Sequence, residues 1–105
     1  MQYKAINQRP QNIDIIMVKG DDLKTRVDVG LDITDYDIVA HVNTIQPIDF
    51  TITPIDLVDG SFYLSLSSTD SADVPDGAGW SMEWDDADGL HRTICTGVMK
   101  MLEDQ

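Results

Sequence analysis

Side chains alternate between apolar and polar along most of this chain, and that alternation limits its possible folds more than any other feature. From Leu23 to Leu31 the odd positions are Leu, Thr, Val, Val and Leu, whereas the even positions are mostly charged. Successive side chains of a strand point to opposite faces, so the pattern predicts a strand with one buried face. A helix would repeat its buried face about every 3.6 residues, which this segment does not do.

The same alternation recurs downstream and predicts seven strands. Asp-Gly pairs separate several of the segments, and such pairs favour turns because both residues tolerate positive φ. We expect Asp88-Gly89 to form a tight hairpin between the last two strands. The predicted strands cover residues 13–18, 23–31, 36–42, 48–52, 62–66, 80–84 and 90–102.

Residues 67–75 break the alternation and predict a single helical turn. Ser67 and the following Ser, Thr and Asp residues are typical of a capped helix start, and Pro75 would end the turn. Seven short strands and one turn of helix in 105 residues predict an all-β fold. We expect a seven-stranded antiparallel immunoglobulin-like β-sandwich over residues 13–105, preceded by a polar arm over residues 1–12.

The chain is strongly acidic, with 19 Asp and Glu against 7 Lys and Arg and a net charge of −12. Nucleic-acid binding needs clustered bases, and anionic membranes repel acids, so we expect neither partner. Hydrophobic residues make up 42% of the chain, which favours a folded core over a disordered acidic tail. Met1 to Gln11 contain no apolar signal segment, which predicts synthesis in the cytoplasm.

The acidic turn Asp85–Gly89 resembles the start of a calcium loop but fails its spacing. If Gly89 took the sixth position of an EF-hand loop, Trp84 would be the first and Cys95 the twelfth, and neither ligates calcium. A solvated hairpin tip is therefore favoured. The acidic turns at Asp21-Asp22 and at residues 35–37 leave open a weaker possibility of a cation site at one end of the sandwich.

Soft metal ligands and nucleophiles are scarce. His91 and Cys95 lie four residues apart, roughly 13 Å along a strand, too far to share one zinc ion. His41 is expected on the outward face of its strand. The chain has no Gly-x-Ser-x-Gly motif and no glycine-rich phosphate loop. We predict no metal, no cofactor and no enzymatic activity.

Trp80, Met82 and Trp84 share one face of a predicted strand. Exposed, the two tryptophans could form a platform on which sugars stack. Alternating aromatic residues in a strand are more often part of a core, and we favour that interpretation.

Several turn and strand motifs follow one another in a familiar order. Gly20-Asp21-Asp22 precedes the second strand, and residues 31–36 (LDITDY) open the third. Residues 60–67 (GSFYLSLS) lead through a helical turn to residues 74–77 (VPDG) and then to residues 80–85 (WSMEWD). Over residues 13–102 this order resembles the immunoglobulin-like N-terminal domain of tailed-phage upper baseplate proteins and short phage structural proteins with the same pattern.

The resemblance implies a non-enzymatic virion structural protein, made in the host cytoplasm, that serves as a tail or baseplate attachment or adaptor subunit. Its partners would be other phage structural proteins, with a homo-oligomer also possible. Two alternatives remain open at this point. One is a capsid decoration protein of the phage head, and the other is a carbohydrate-binding module for adhesion to the host.

Two groups of residues are candidate partner contacts. The arm carries two bases, Lys4 and Arg9, and no acid, so the rest of the chain has a net charge of 5 − 19 = −14. The last strand is apolar on both faces, which suggests that a partner covers one of them. We predict that Cys95, Met99 and Met101 form that outward, partner-binding face.

Overall fold

The computed structural model describes residues 11–103, which form nine strands and one short helix. The strands are β1 (Gln11–Asn12), β2 (Ile15–Val18), β3 (Leu23–Asp28), β4 (Asp37–Val42), β5 (Ile48–Asp49), β6 (Thr51–Asp56), β7 (Ser61–Leu66), β8 (Ala78–Asp85) and β9 (His91–Leu102), and the helix α1 is Ser68–Ser71.

The strands form two sheets that enclose one core. The larger sheet has the order β1-β9-β8-β4-β5, with β2 also paired to β9, and the smaller has the order β3-β7-β6. The chain is therefore an all-β protein with a two-sheet, sandwich-like architecture. Two features differ from the sequence-based prediction. Nine strands are present among the described residues, and β1 and β2 run parallel to β9 while every other pair is antiparallel.

One predicted strand, over residues 48–52, is divided between the two sheets. Its first part is β5, which pairs with β4, and its continuation is β6, which pairs with β7. Phe50 lies at the crossing, where its N–H donates to the Ala40 carbonyl at 2.9 Å and its side chain is buried. Since both sheets face the same core, the side chains keep their alternation while the backbone changes sheet.

The core is filled by alternate side chains of β7 and β8. The two tryptophans of β8 are buried, Trp80 at 3% and Trp84 at 7% exposure, which confirms the core interpretation and removes the proposed sugar platform. Tyr36 meets Trp84 edge to face with ring centroids 5.0 Å apart, and Phe50 lies 5.7 Å from Trp80. The inward set on these strands is Phe62, Leu64, Leu66, Trp80, Met82 and Trp84.

The predicted helical turn is confirmed as α1, and it anchors the turn between β2 and β3. Ser67 caps it by accepting a hydrogen bond from the Asp70 N–H at 3.1 Å. Ser71 is fully buried, where its hydroxyl donates to the Asp21 carbonyl at 2.7 Å and accepts from the Gly20 N–H at 3.1 Å. Loss of this hydroxyl would remove the hydrogen bonds that tie α1 to the backbone of Gly20 and Asp21.

The β8–β9 hairpin forms at the predicted place with a longer loop than a two-residue turn. Residues 86–90 connect the strands, and Gly89 adopts a positive φ of 81°. The Asp86 carboxylate accepts from the N–H groups of Asp88 and Leu90, both at 2.9 Å. A side chain, rather than the Asp-Gly pair alone, thus organises this loop.

Within residues 11–103 the one helix has four residues, and no helix there could cross a membrane.

Candidate interaction surfaces

The two faces of β9 are reversed relative to the sequence-based prediction. Cys95, Met99 and Met101 point into the core, with exposures of 1%, 0% and 5%. The prediction that they form an outward apolar face is wrong, because apolar residues on both faces of a strand do not reveal which face meets the opposite sheet. A β-bulge adds to the difficulty: Met82 pairs with Cys95 and Glu83 with Thr93, so Ile94 is passed over and the alternation shifts.

The outward face of the same strand carries an exposed apolar cluster, which we call the β2–β9 patch. Val98 and Leu102 lie on either side of Lys100 along β9, and Ile16 of β2 pairs with Lys100. Ile16 is 64% exposed, and Val98 and Leu102 are each 44% exposed. Partners in a parallel ladder share a face, so Ile16 lies on the same face of the sheet as Val98, Lys100 and Leu102.

The other predicted contacts, Lys4 and Arg9, lie outside the described residues. The last two residues of the predicted arm, Gln11 and Asn12, form β1 and pair in parallel with Cys95 and Thr96 of β9. The boundary of the sandwich therefore lies at or before residue 11 rather than at residue 13.

Close backbone contact seals the edge of the sandwich where β1 meets β2. The Ile13 N–H donates to the Thr96 carbonyl at 2.8 Å, and the Trp80 indole N–H donates to the Ile13 carbonyl at 2.8 Å. A Cβ atom on Gly97 would lie 1.8 Å from the Ile13 carbonyl oxygen. Only glycine lets the two strands approach this closely.

Among residues 11–103, the sandwich is open along the neighbouring edge, where a cleft of about 590 Å³ lies between β3 and the first half of β9. Its floor is core, formed by Leu64 of β7 together with Trp80, Met82 and Trp84 of β8. The walls come from β1, β2, β3 and β9. The lining residues on those walls include Gln11, Ile13, Ile15, Thr25, Val27, Arg92 and Ile94.

Burial along β3 confirms that this side of the core lacks cover within residues 11–103. The inward residues Leu23 and Val27 are half-buried, and Thr25 between them is exposed. On the adjacent β7, by contrast, Phe62 and Leu64 are fully buried. The two strands differ because β7 has a neighbour on each side, whereas among the described residues β3 pairs only with β7.

A polar network lies at the rim of the cleft. The Asp28 carboxylate accepts from the Ser61 hydroxyl at 2.6 Å and from Arg26 Nε at 3.1 Å. The Ser61 hydrogen bond, followed by that of Arg26, lowers the pKa of Asp28 below its ordinary value. Asp28 thus stays ionised and keeps a negative charge at the rim.

The structure shows one cluster of titratable groups that sequence reasoning missed. His91 Nδ1 lies 2.8 Å from an Asp85 carboxylate oxygen, and His91 Nε2 lies 3.0 Å from a Glu83 oxygen. The Asp85 hydrogen bond is the main cause of a raised pKa at His91. The signal available in the sequence was the hairpin register, which places residue 85 opposite residue 91.

The remaining side chains that were considered as metal ligands lie apart from one another or already make hydrogen bonds. His41 is half-buried, with Nε2 3.3 Å from the Ser81 hydroxyl, and Cys95 is buried on the inner face of β9. Burial raises the pKa of the Cys95 thiol to about 11, which makes it a poor nucleophile. The Asp22 carboxylate accepts from the Ser68 N–H at 2.6 Å. Among residues 11–103 no three His, Cys, Asp or Glu side chains are placed to hold a metal ion.

Comparison with known proteins adds no family assignment. No protein-family model matches the chain, and a search of curated proteins found no significant match.

Proposed function

We propose that this protein is a non-enzymatic structural component of a phage virion, an attachment or adaptor subunit of the tail or baseplate. The observation that carries the proposal is the β2–β9 patch, an exposed apolar surface on an otherwise acidic domain. Apolar groups gathered on one side of a small domain favour a protein partner, since burying them removes them from water.

The strand order supports an immunoglobulin-like topology for the sandwich. In that topology one sheet contains the second, fourth and fifth strands (B, D and E), and the other contains C, F and G. Here β3, β6 and β7 would be B, D and E, while β4, β8 and β9 would be C, F and G. The two-residue β5 would correspond to the extra strand C′ of the variable-type sheet.

The charge distribution favours a partner with a basic surface. The chain carries a net charge of −12, and Lys100 is the one base within the β2–β9 patch. An acidic domain is steered towards basic protein surfaces and away from nucleic acid. Association through the patch would therefore combine apolar contacts with attraction between the acidic domain and a basic partner, and that attraction would weaken as salt increases.

Immunoelectron microscopy tests the proposal directly. Antibody against the purified protein would be applied to phage particles from cells that carry its gene, with pre-immune serum as the control. Gold at the tail or baseplate supports the proposal, and gold on the head supports the decoration alternative instead. Particles that carry no label, although the same preparation is labelled by an antibody to a known virion protein, would overturn it.

A matched pair of variants tests the role of the patch. Ile16→Asp replaces the most exposed apolar side chain of the patch with a negative charge, whereas Ile45→Asp makes the same change at a fully exposed site in the loop between β4 and β5. We expect Ile16→Asp to reduce incorporation into particles at least about tenfold, measured by quantitative mass spectrometry, and Ile45→Asp to leave it unchanged. Equal incorporation of the two variants would remove the patch from the proposal.

A further inference from the structure

We infer that β2 is a docking edge, at which the larger sheet takes an extended segment of a basic partner protein as a further strand. This mode of binding rests on the proposed role of the β2–β9 patch, because β2 carries Ile16, the most exposed apolar residue of that patch. It adds that backbone hydrogen bonds, together with apolar contacts, hold the partner.

Three of the four sheet edges formed by residues 11–103 carry features that oppose pairing with another chain. The edge strand β5 is only two residues long, and β6 contains Pro54 with a bulge between Pro54 and Asp56. The edge strand β3 carries the charged side chains of Lys24 and Arg26. Short strands, proline, bulges and charges are the means by which natural sheets avoid pairing edge to edge.

The fourth edge, β2, contains no proline and no charge. Its residues, Ile15–Val18, are all apolar, and they pair with β9 without a bulge. The register is the same for β1, where Gln11 lies opposite Cys95, and for the end of β2, where Val18 lies opposite Leu102. A regular apolar edge of this kind favours aggregation when it is left uncovered, so its sequence indicates that a partner covers it.

The outer side of β2 carries backbone groups that an added strand could pair with. The Lys19 N–H donates to the Leu102 carbonyl at 2.7 Å, and the Ile13 N–H also donates to β9. Alternate residues of a parallel strand bond to the same neighbour, so the odd-numbered residues here bond to β9. The N–H groups of Ile16 and Val18 therefore point away from β9. Among the described residues no other strand pairs with β2 on that side.

Charge favours one occupant of this edge over another. A second copy of the chain would bring its own net charge of −12, and the two copies would repel each other. A segment with basic side chains would instead be attracted to the acidic domain. Alternating apolar and basic residues would fit the edge, because the apolar face of the added strand would lie beside Ile16 and extend the patch.

Hydrogen exchange of the purified, isotope-labelled protein tests strand addition, with a synthetic nonapeptide of alternating lysine and valine as the probe. In the free monomer we expect the Ile16 and Val18 amides to exchange at least about tenfold faster than those of Met17 and Lys19. Peptide at about 1 mM should slow the exchange of Ile16 and Val18 at least about tenfold. A peptide of alternating glutamate and valine is the control and should leave their exchange unchanged.

A matched pair of variants separates backbone pairing from apolar contact. Ile16→Pro removes the outward N–H, and proline is tolerated there because that N–H makes no bond to β9. Ile16→Ala also loses apolar side-chain atoms but keeps the N–H. We expect Ile16→Pro to bind the lysine peptide at least about tenfold more weakly than Ile16→Ala, measured by NMR titration. Equal affinity would mean that side-chain contacts alone hold the peptide, which contradicts strand addition.

Three further results would overturn the inference. One is slow exchange of the Ile16 and Val18 amides in the free monomer, because the edge would then be covered already. Another is slowing that accompanies dimer formation, since the occupant would then be a second copy. The third is exchange that the lysine peptide slows no more than the glutamate peptide does.

These outcomes leave the virion role untouched, because immunoelectron microscopy decides that role separately. Gold on the particles together with unchanged Ile16 exchange would keep the virion role and remove strand addition. The exchange measurement on the unmodified chain decides the question even if Ile16→Pro lowers overall stability.

Discussion

The two halves of β9 both pair with β8 on one side, and they differ in what lies along their other edge. Beyond Cys95, β1 and β2 pair with β9, and Gly97 and Trp80 join the backbone of residue 13 to the core. Between His91 and Ile94 the outer edge of β9 is unpaired among the described residues, and the core opens into a cleft. Among the described residues, the core is therefore covered where β1 and β2 pair with the edge of β9.

The largest loss of stability should come from Gly97→Ala, in the half of β9 that pairs with β1 and β2. The new Cβ would lie 1.8 Å from the Ile13 carbonyl oxygen, so β1 and β2 must move away from β9. We expect a loss of about 3 kcal/mol in the free energy of unfolding, measured by urea denaturation. The matched control is Gly79→Ala, whose Cβ would lie 3.7 Å from Asn43 Nδ2 and 3.9 Å from the Gly97 carbonyl oxygen. Both are ordinary van der Waals distances, so this change should cost less than about 1 kcal/mol. Similar losses for both variants would contradict close approach as the cause.

Cys95 lies at the boundary between the two halves of β9, so the reactivity of its thiol measures how well the core excludes solvent and reagents there. Burial raises its pKa to about 11 from 9.0, which leaves about 100-fold less thiolate at pH 8. We expect iodoacetamide to alkylate the folded protein at least about 100-fold more slowly than the protein unfolded in guanidinium. Mass spectrometry measures the rate, and Cys95→Ser provides the unlabelled baseline. A folded rate within about tenfold of the unfolded rate would show that the boundary is open to the reagent.

Replacing each tryptophan with phenylalanine measures how much the indole hydrogen bond of Trp80 contributes to the free energy of unfolding. Trp80→Phe removes the donor to the Ile13 carbonyl at 2.8 Å, whereas the Trp84 indole donates no hydrogen bond to the described residues. The lost ring volume is the same in both variants. We expect Trp80→Phe to lower the free energy of unfolding by about 1 kcal/mol more than Trp84→Phe. Equal losses of unfolding free energy in thermal or urea melts would mean that the indole hydrogen bond of Trp80 does not stabilise the fold.

The smallest effect should be the pH dependence of the ion pairs beside the open half. Hydrogen bonding to Asp85, reinforced by the charges of Asp85 and Glu83, raises the pKa of His91 above 6.5. The protonated form is favoured in the folded state, so its stabilisation is complete below pH 6.5 and is lost as pH rises through the folded-state pKa.

The stability difference between the unmodified chain and His91→Gln should therefore shrink from about pH 6 to about pH 9, measured by melting temperature. NMR titration of His91 should give a higher pKa in the unmodified chain than in Asp85→Asn. A titration that is unchanged in Asp85→Asn would exclude this pairing as the cause.

Much of the architecture could be predicted from alternation because one face of most strands is apolar and the other polar. The inward sets of β4, β7 and β8 are those that the sequence indicates, and Ser67 caps α1 as its position predicts. The faces of β9 could not be predicted, because both are apolar and the bulge at Ile94 shifts their phase.

The candidate surfaces were less accessible to sequence reasoning. The β2–β9 patch depends on a parallel pairing between residues more than 80 positions apart, and no local pattern encodes that register. The cleft depends on which edges lack a partner. The His91 cluster is the exception, since it follows from a local hairpin once the register is known.

The parallel pairing of β2 with β9 also has a consequence for biosynthesis. Ile15 pairs with Met99 and Val18 with Leu102, so the second strand to leave the ribosome cannot take its place until the last has been made. Contacts this distant in sequence slow the search for the native state. Until then, the apolar side chains of β2 remain exposed and open to association with other chains.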